Sequence, residues 1–401
     1  MKVLVADKFE ATGREGLERL GLVVTYEPEL QGDALAEALI RTKAEIVIVR
    51  STKITAPMIE GSKLALIIRA GAGVNTIDVA AASNHGVYVA NCPGMNSQAV
   101  AELAMGLALA VDRHIPDNVI DLRNGVWNKK KYSEAKGLYG RTLGLVGMGK
   151  IGQEMVPRAR AFGMSVVAFS RWMTPEVAAL LNIGRAATPE EVAVQADVVS
   201  VHVALTPDTR GVLSRSFFER MREGSTFINT SRAEVVDQEA LLWALDHRGI
   251  FAGLDVFDGE PSGGEGSYDG PLRTHPRVYC THHIGASTDQ AQEAIAQETV
   301  RIVREFKSTG IAPNVVNVQR AANATHLLVV RHLDRVGVLA HVLSVLKDEG
   351  INVQEMENIV LAGSQAAIAQ VAMDKELTPS ALLRMKMNQN IFDASVVTLE
   401  K

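Results

Sequence analysis

A glycine-rich hexapeptide constrains the fold of this chain more than any other feature. It consists of Gly147, Met148, Gly149, Lys150, Ile151 and Gly152. A strand-like run over 142–146 precedes it, and a helical pattern and a second strand follow over 150–162 and 165–170. In that context the first glycine permits a tight turn, the second lets backbone approach a pyrophosphate, and the third packs helix against strand. The hexapeptide therefore predicts a βαβ unit that binds a dinucleotide at a helix N-terminus, rather than a bare turn.

The second strand of this unit ends without the acid that usually accepts a hydrogen bond from the ribose of NAD. Ser170 and Arg171 occupy that position. A hydroxyl and a guanidinium could hold the 2′-phosphate of NADP, whereas a solvated arginine would leave NAD as the cofactor. Both cofactors, NAD and NADP, remain open from the sequence.

The first hundred residues alternate between strand-like and helix-like runs. Strands are predicted at 2–6, 46–50, 66–69 and 87–91, with helices at 11–20 and 33–42 between them. This order predicts a parallel sheet with helices on both faces. A second alternating series begins at 141, so the fold class is α/β with two doubly wound, Rossmann-like parallel-sheet domains.

The last 85 or so residues have a different pattern. Strands and helices in the order βαββαβ predict a small ferredoxin-like module. Residues 310–317, which contain Pro313, are predicted to form an extended linker. The predicted organisation is a substrate-binding domain from 1–95 and 289–314, a dinucleotide-binding domain from 96–288, and a regulatory domain from 317–401.

Composition excludes several classes of function. The 401 residues include 41 Lys and Arg against 46 Asp and Glu, a net charge of −5 that gives no support for nucleic-acid or membrane binding. The two cysteines, Cys92 and Cys280, lie outside any CxxC or Cys/His cluster, so neither a metal site nor a disulfide framework is expected. No apolar run is long enough to span a bilayer, and a cytoplasmic location is expected.

Three chemically capable side chains follow three predicted strands: Arg232, Glu260 and His283. The carboxyl ends of parallel strands meet at one edge of a sheet, where α/β proteins bind ligands. An arginine, a glutamate and a histidine that meet there would supply a carboxylate clamp, a proton-transfer group and a modulator of its pKa. Taken singly, each could be an ordinary surface residue.

Four motifs, in order and spacing, resemble the D-2-hydroxyacid dehydrogenase family: GMGKIG at 147–152, NTSR at 229–232, DVFDGEP at 255–261 and HHIGAST at 282–288. Three runs nearer the N-terminus are similar to members that oxidise 3-phospho-D-glycerate: IVRSTKIT at 48–55, RAGAGVN at 69–75 and NGVWNK at 124–129. The run HLDRVGVL at 332–339 resembles an amino-acid-sensing ACT domain.

The resemblance implies roles for particular residues. Arg232 would hold the substrate carboxylate and its oxo or hydroxyl oxygen, and His283 would exchange the proton with Glu260 as its partner. The implied cofactor contacts are Gly147, Met148, Gly149, Lys150, Ile151, Gly152, Ser170, Arg171, Thr206, Pro207, Thr230, Ser231, Asp255 and Gly285. The implied substrate contacts are Arg50, Ser51, Arg69, Gly71, Ala72, Gly73, Val74 and Lys129, of which Lys129 would reach a neighbouring subunit's cleft. The implied effector contacts are Asp334, Gly337 and Asn352.

The sequence departs from the family pattern at four positions: Ala233 replaces glycine, His282 replaces proline, Asp334 replaces asparagine and Val336 replaces proline. The loop after Arg232 must therefore form without a positive φ at residue 233.

The resemblance implies oxidation of 3-phospho-D-glycerate to 3-phosphohydroxypyruvate, the first step of serine biosynthesis, by a homodimer or homotetramer with serine as effector. An NADPH-dependent glyoxylate or hydroxypyruvate reductase, or another D-2-hydroxyacid dehydrogenase, is the alternative enzyme. A cofactor-sensing interaction protein is the alternative from another class.

Overall fold

The computed structural model describes residues 1–261, 265–319, 324–363 and 365–399. The chain divides into two compact units, Met1–Asn317 and Val318–Lys401. Each unit has hydrophobic core clusters of its own. Among the described residues, no helix combines the length and apolar character needed to cross a bilayer.

A five-stranded parallel sheet opens the first unit. Its strands are β1 (Lys2–Val5), β2 (Val23–Tyr26), β3 (Ile46–Val49), β4 (Leu66–Arg69) and β5 (Tyr88–Asn91). The intervening helices are α1 (Ala11–Arg19), α2 (Gly32–Thr42), α3 (Ala56–Glu60) and α4 (Val79–Asn84). The strand order is β2-β1-β3-β4-β5. All four residues of β3 are buried, as expected for an aliphatic strand that helices cover on both faces.

Helices α5 (Ser97–Arg113) and α6 (Ile115–Arg123) lead into a second parallel sheet, with strand order β12-β11-β10-β9-β6-β7-β8. Its strands are β6 (Thr142–Val146), β7 (Ser165–Phe169), β8 (Gly184–Arg185), β9 (Val198–Val201), β10 (Thr226–Asn229), β11 (Phe251–Leu254) and β12 (Val278–Cys280). Its helices are α7 (Lys150–Ala161), α8 (Pro175–Leu180), α9 (Pro189–Gln195), α10 (Arg215–Arg220) and α11 (Gln238–His247), with 3-10 helices at Ala233–Val235 and Pro271–Thr274.

Each sheet has one point where the direction of winding reverses. In the first sheet the reversal lies between β1 and β3, and in the second it lies between β6 and β9. Open α/β sheets bind ligands in the crevice outside the carboxyl ends of the strands at such a point. Each sheet therefore has a crevice at its reversal point where a ligand can bind. The two strand orders confirm the predicted class of two doubly wound domains.

Helix α12 (Asp289–Thr309) returns the chain to the first sheet. Its buried residues Ile295 and Ile302 belong to the same core cluster as Val3 of β1 and Phe9. The first sheet is thus completed by residues nearly three hundred positions away from its first strand.

The segment after α12, for which the sequence predicts an extended linker, pairs with the first sheet over its last residues. Val315 forms a bridge with Ala90, and the N–H of Val316 donates to the Val89 carbonyl at 2.8 Å. The Asn317 amide donates to the Val87 carbonyl at 2.9 Å and accepts from the N–H of Val89 at 2.9 Å. Residues 315–317 therefore dock on β5, because an asparagine side chain can replace a neighbouring strand as hydrogen-bonding partner.

The second unit has the predicted βαββαβ order. Its elements are β13 (His326–Leu333), α13 (Val338–Asp348), β14 (Val353–Val360), β15 (Ala366–Met373), α14 (Pro379–Lys386) and β16 (Ile391–Thr398). The strand order β14-β15-β13-β16, with every neighbouring pair antiparallel, is the ferredoxin-like arrangement. Apolar residues of α13 and α14, such as Val342 and Met385, pack against this sheet in one core.

Candidate active site

Three adjacent strands of the second sheet bring the predicted catalytic side chains to one edge. Arg232 follows β10, Glu260 follows β11 and His283 follows β12, and these strands are neighbours in the sheet. Parallel strands place their carboxyl ends at the same edge, so the spacing of the motifs along the chain becomes proximity in space.

His283 and Glu260 form a hydrogen-bonded pair. The distance between His283 Nδ1 and Glu260 Oε2 is 2.7 Å, and Glu260 Oε1 accepts from the N–H of Phe257 at 2.7 Å. Burial raises the pKa of Glu260, but the hydrogen bond and charge of His283 and the charge of Arg232 outweigh it, so the pKa lies below its usual value. Because Nδ1 donates to an ionised carboxylate, Nε2 is the ring nitrogen that remains to face a substrate.

The His283 backbone has an uncommon conformation, with φ of +51° in the left-handed region. The buried carboxylate of Asp255 holds this loop. It accepts from the Thr281 hydroxyl at 2.6 Å and from the N–H groups of Ile284 and Gly285, each at 2.9 Å. Asp255 thus positions the loop that carries His283, a role the sequence did not indicate. The cofactor contacts implied for Asp255 and Gly285 stay predictions.

The loop that carries Arg232 is built around the Asn229 side chain. Its amide oxygen accepts from the N–H and hydroxyl of Ser231, and its amide nitrogen donates to the Arg232 carbonyl at 2.9 Å. Ala233 has no positive φ and begins a 3-10 helix. The alanine therefore fits this loop without a left-handed backbone.

The first sheet contributes two further arginines. Arg50 follows β3 and Arg69 ends β4, and these strands are neighbours. Asp7, just after β1, fixes the backbone at Arg50: its carboxylate accepts from the N–H groups of Arg50, Ser51 and Thr52 at 2.6, 3.0 and 3.0 Å. Sequence inspection missed Asp7, although an acid at the carboxyl end of a parallel strand was a usable signal.

Arg50, Arg69 and Arg232 lie close enough to influence one another. Burial, and then the positive charges of Arg232 and Arg50, lower the pKa of Arg69 to about 10. Burial also lowers the pKa of Arg50, against the attraction of Asp7. Within the described part of the chain, none of the three guanidinium groups forms an ion pair with a carboxylate. We call Arg50, Arg69 and Arg232 the arginine cluster, and three guanidinium groups so close together favour an anion.

Two glycines let this cluster approach the backbone of the 71–74 loop. A Cβ on Gly71 would lie 1.8 Å from an Arg69 nitrogen, and a Cβ on Gly73 would lie 2.4 Å from an Arg232 nitrogen. The N–H of Gly71 donates to the Arg69 carbonyl at 2.8 Å, so it is not free for a substrate carboxylate. The implied carboxylate contact is therefore restricted to the backbone of Ala72, Gly73 and Val74.

The glycine-rich turn has the shape that a pyrophosphate requires. Gly147 has φ of +103°, and a Cβ there would lie 2.4 Å from the His202 carbonyl oxygen. A Cβ on Gly152 would lie 2.2 Å from the Gly147 carbonyl oxygen, whereas one on Gly149 would meet nothing within 4 Å. The first and third glycines thus serve internal packing, and the second faces open space beside the N-terminus of α7. These residues fit a dinucleotide.

The remaining implied cofactor residues have mixed placements. Met148 is fully buried in the core of the second sheet, so its side chain faces away from solvent. Thr230 is buried, and its hydroxyl has no hydrogen-bonding partner in the described residues. Thr206 and Pro207 lie in the loop after β9, where the N–H of Thr206 donates to the Thr209 hydroxyl at 2.8 Å. Among the described residues, no cluster of His, Cys, Asp and Glu is arranged to hold a metal ion.

The structure does not bring every implied contact into the cleft. Lys129 is exposed in the segment after α6. Its carbonyl accepts a hydrogen bond from the Ser133 hydroxyl at 2.6 Å, and its ammonium group has no hydrogen-bonding partner among the described residues. Its implied contact with a neighbouring subunit is a prediction about another chain.

The three implied effector residues do not form one pocket within a chain. Asp334 and Gly337 follow β13, whereas Asn352 precedes β14. Val353 is level with the first residue of β13, His326, since both pair with Met373. Asn352 therefore lies at one end of the strands and Asp334 at the other. Since β13 and β14 run in the same direction, the three implied effector residues do not meet within one chain, and these contacts stay predictions.

A glycine-rich turn on one parallel sheet, together with a His–Glu pair and an arginine cluster at the sheet edges, defines the class of nicotinamide-dependent dehydrogenases. Residues 105–285 match the family model "D-isomer specific 2-hydroxyacid dehydrogenase, NAD binding domain". The chain belongs to the D-isomer specific 2-hydroxyacid dehydrogenase family, and its cofactor is NAD or NADP.

Three relatives illustrate the similarity. D-3-phosphoglycerate dehydrogenase of Methanocaldococcus jannaschii is 38% identical over 321 residues, which cover 79% of this chain and 60% of the relative. Hydroxypyruvate reductase of Thermotoga maritima is 40% identical over 293 residues, 72% of this chain and 92% of the relative. The crystal structure of the TT0316 protein from Thermus thermophilus has a TM-score of 0.68 and 34% identity, covering 79% of this chain and all of that one. The chain spans about 60% of the length of the phosphoglycerate dehydrogenases that it matches.

Proposed function

We propose that this chain oxidises 3-phospho-D-glycerate to 3-phosphohydroxypyruvate with a nicotinamide cofactor, the first step of serine biosynthesis. The observation that carries the proposal is the arginine cluster. A simple 2-hydroxy acid has one carboxylate, which a single arginine can hold in a two-pronged geometry. Arg50 and Arg69 add two positive charges from a different sheet, and a second anionic group on the substrate would account for them.

Phosphate is the group that best matches the additional charge. A phosphomonoester carries a charge of about −1.5 to −2 near neutral pH and three acceptor oxygens. Although the pKa of Arg69 is lowered to about 10, its guanidinium remains charged at neutral pH. Partial burial strengthens its interaction with a dianion relative to an exposed pair.

The catalytic residues divide the work of the oxidation. Arg232 orients the substrate carboxylate and its neighbouring oxygen. His283 Nε2 accepts the proton of the substrate hydroxyl, and the ionised Glu260 at 2.7 Å stabilises the imidazolium that results. When bound, the nicotinamide ring supplies the hydride acceptor. In the reverse reaction His283 returns the proton to the oxo group.

A reductase acting on hydroxypyruvate or glyoxylate is the second candidate. It is favoured by Ser170 and Arg171, which suit NADPH, and by the 40% identity to a hydroxypyruvate reductase. Hydroxypyruvate and glyoxylate lack a phosphate, so this activity leaves Arg50 and Arg69 without a substrate phosphate to bind. A protein that senses the cofactor and binds a partner without catalysis would show no turnover with any of these substrates.

We also infer that the chain acts as a homodimer or homotetramer and that the ACT-like module binds serine or another amino acid. Helix α6 has no buried side chain although it includes Ile120 and Leu122. In the second unit, Asp334 and Asn352 lie at opposite ends of the strands, so a serine site that uses both requires a second copy of the module.

Steady-state kinetics of Arg69→Ala test the proposed substrate. We expect kcat/KM for 3-phospho-D-glycerate to fall about 10–100-fold, the usual worth of a charge-assisted hydrogen bond. The value for D-glycerate, which lacks the phosphate, should change less than about threefold by the same argument. Equal losses for both substrates would favour the reductase. Absence of turnover by the unmodified protein with either substrate, and with hydroxypyruvate and glyoxylate, would favour the binding protein.

A further inference from the structure

The edge of the second sheet that faces the adenosine half of a dinucleotide has an unusual charge pattern. Strand β7 ends at Phe169, and the loop 170–174 that follows contains Ser, Arg, Trp, Met and Thr but no acid. A carboxylate at this position accepts from the ribose 2′-hydroxyl in proteins that bind NAD, and it repels a 2′-phosphate. The chain lacks this barrier to a phosphorylated ribose.

The structure places one acid, Asp208, beside Arg171, and the sequence around β7 does not indicate it. Arg171 forms an ion pair with Asp208, with 3.5 Å between a guanidinium nitrogen and a carboxylate oxygen, and both side chains are about three-quarters exposed. Asp208 lies in the loop after β9, and β9 and β7 flank β6 with its glycine-rich turn. An ion pair this exposed and this long contributes little, so Arg171 can exchange its partner for a phosphate.

Two other charged side chains lie beside this loop: Arg185, which favours an anion, and Glu176, which stays ionised near Arg185. Arg185 of β8 donates to the Met173 carbonyl at 2.9 Å, which places a second guanidinium beside the 170–174 loop. Glu176 is held by the Thr174 hydroxyl, and this hydrogen bond, with the charge of Arg185, lowers the pKa of Glu176. Ser170 supplies a hydroxyl next to Arg171, and a hydroxyl and a guanidinium together complement phosphate oxygens.

We propose that NADP is the preferred cofactor, that Ser170 and Arg171 bind its 2′-phosphate, and that Asp208 limits this preference by competing for Arg171. Asp208 is then a specificity-determining residue of the cofactor site. The inference rests on the proposed dehydrogenase function for the use of the cofactor in turnover, whereas binding of the adenosine half can be measured without a substrate.

Isothermal titration with 2′,5′-ADP and 5′-AMP, which differ only in the 2′-phosphate, tests the proposal on the full-length protein. We expect 2′,5′-ADP to bind at least about tenfold more tightly than 5′-AMP, and Arg171→Ala to reduce this difference to about threefold or less. Arg222→Ala is the matched control, because Arg222 is an exposed arginine paired with Asp197 at 3.0 Å at the opposite edge of the same sheet. It should leave the ratio unchanged.

The Asp208→Asn variant separates the two roles that this acid could have. If Asp208 competes for Arg171, the variant binds 2′,5′-ADP about three- to tenfold more tightly and 5′-AMP as before. If Asp208 instead accepts from the ribose of NAD, the variant weakens 5′-AMP, and the proposal is wrong. Equal or tighter binding of 5′-AMP by the unmodified protein would also overturn it. Because no hydroxy acid is present, failure here is distinct from failure of the proposed substrate.

Discussion

Two carboxylates hold functional loops in this protein without belonging to the catalytic set. Asp7 accepts three backbone hydrogen bonds at Arg50, and Asp255 accepts two backbone bonds and one hydroxyl bond around His283. A carboxylate that receives several short donors fixes the backbone conformation of its loop. At the scale of single residues, the geometry of the cleft therefore depends on side chains that do not face it.

Replacement of His283 is the direct test of proton transfer. His283→Ala should lower kcat by about 10²–10⁴, the usual contribution of a positioned acid–base group. His282→Ala is the matched control, because His282 is an exposed histidine one position earlier. It should keep kcat within about twofold of the unmodified protein by the same reasoning. If the control loses activity and His283→Ala does not, the proton-transfer group is His282.

The pH dependence of stability should report the ionised state of Glu260. Burial raises its folded-state pKa, but the His283 contacts outweigh burial and hold the pKa below the ordinary value of 4.5. The ionised group therefore stabilises the fold above the unfolded-state pKa, and this stabilisation is lost as the pH falls through the folded-state pKa. We expect thermal unfolding to show Glu260→Gln a few degrees less stable near neutral pH, with the difference shrinking below about pH 4. Glu18→Gln, at an exposed position, should show no such trend. A difference that is independent of pH would contradict the assignment.

At the scale of elements, strands buried on both faces are easier to predict than edges and connections. The run over 46–50 contains Ile46–Val49, which is central and fully buried, so its aliphatic sequence is sufficient to identify it. Val23–Tyr26 is an edge strand with no buried residue, and its sequence VVTY did not distinguish it from a loop. Edge strands have one pairing partner, and their composition is correspondingly less restricted.

The docked segment at 315–317 shows what composition does not predict about this connection. Composition indicates that a stretch with Pro313 and Gly310 leaves a helix, but it does not indicate where the following residues pair. The partners of Asn317 are Val87 and Val89, about 230 positions earlier. Likewise, the sequence predicted that Arg232, Glu260 and His283 follow three parallel strands. Asp7 and Asp255 also follow strands, but their hydrogen-bonding partners are set by tertiary packing, which the sequence pattern does not show.

Two truncated chains test whether residues 311–317 are a structural part of the first unit. A chain that ends at Asn317 should fold, bind the cofactor and retain the cleft, because all proposed catalytic residues and the docked segment are present. A chain that ends at Gly310 loses the pairing with β5, and its Tm should be lower by about 5 °C or more, since several hydrogen bonds of about 1 kcal/mol each are removed. Calorimetry of both chains measures the difference. Equal Tm values would show that residues 311–317 contribute nothing to the first unit.

At the scale of the whole molecule, α6 requires an explanation that a single chain does not provide. Its Ile120 and Leu122 are each more than half exposed, and Trp127 beyond it is 80% exposed. Apolar side chains on an isolated surface helix mark an interaction site when they are contiguous. A second copy of the chain would cover them in the proposed homo-oligomer.

Sedimentation analysis of one charged variant tests this assembly. Ile120→Glu should shift the protein toward the monomer, because the carboxylate would have to be buried at the interface. Val23→Glu is the control, since Val23 is similarly exposed, at 63%, on the edge strand β2. It should leave the sedimentation coefficient unchanged. If Ile120→Glu sediments like the unmodified protein, α6 is not part of the interface.

The return of α12 to the first sheet means that the chain crosses between the two sheets twice, once between β5 and α5 and once between the His283 loop and α12. Two domains joined by a single connection can rotate about several axes. Two connections restrict twisting and leave mainly rotation about the line that joins the two crossing points. Opening of the cleft should therefore be a hinge rotation about a single axis. His283 lies six residues before α12, next to one of the two crossings, whereas Arg50 and Arg69 belong to the first sheet. Closure of the cleft would then carry Arg50 and Arg69 toward His283 and the bound anion.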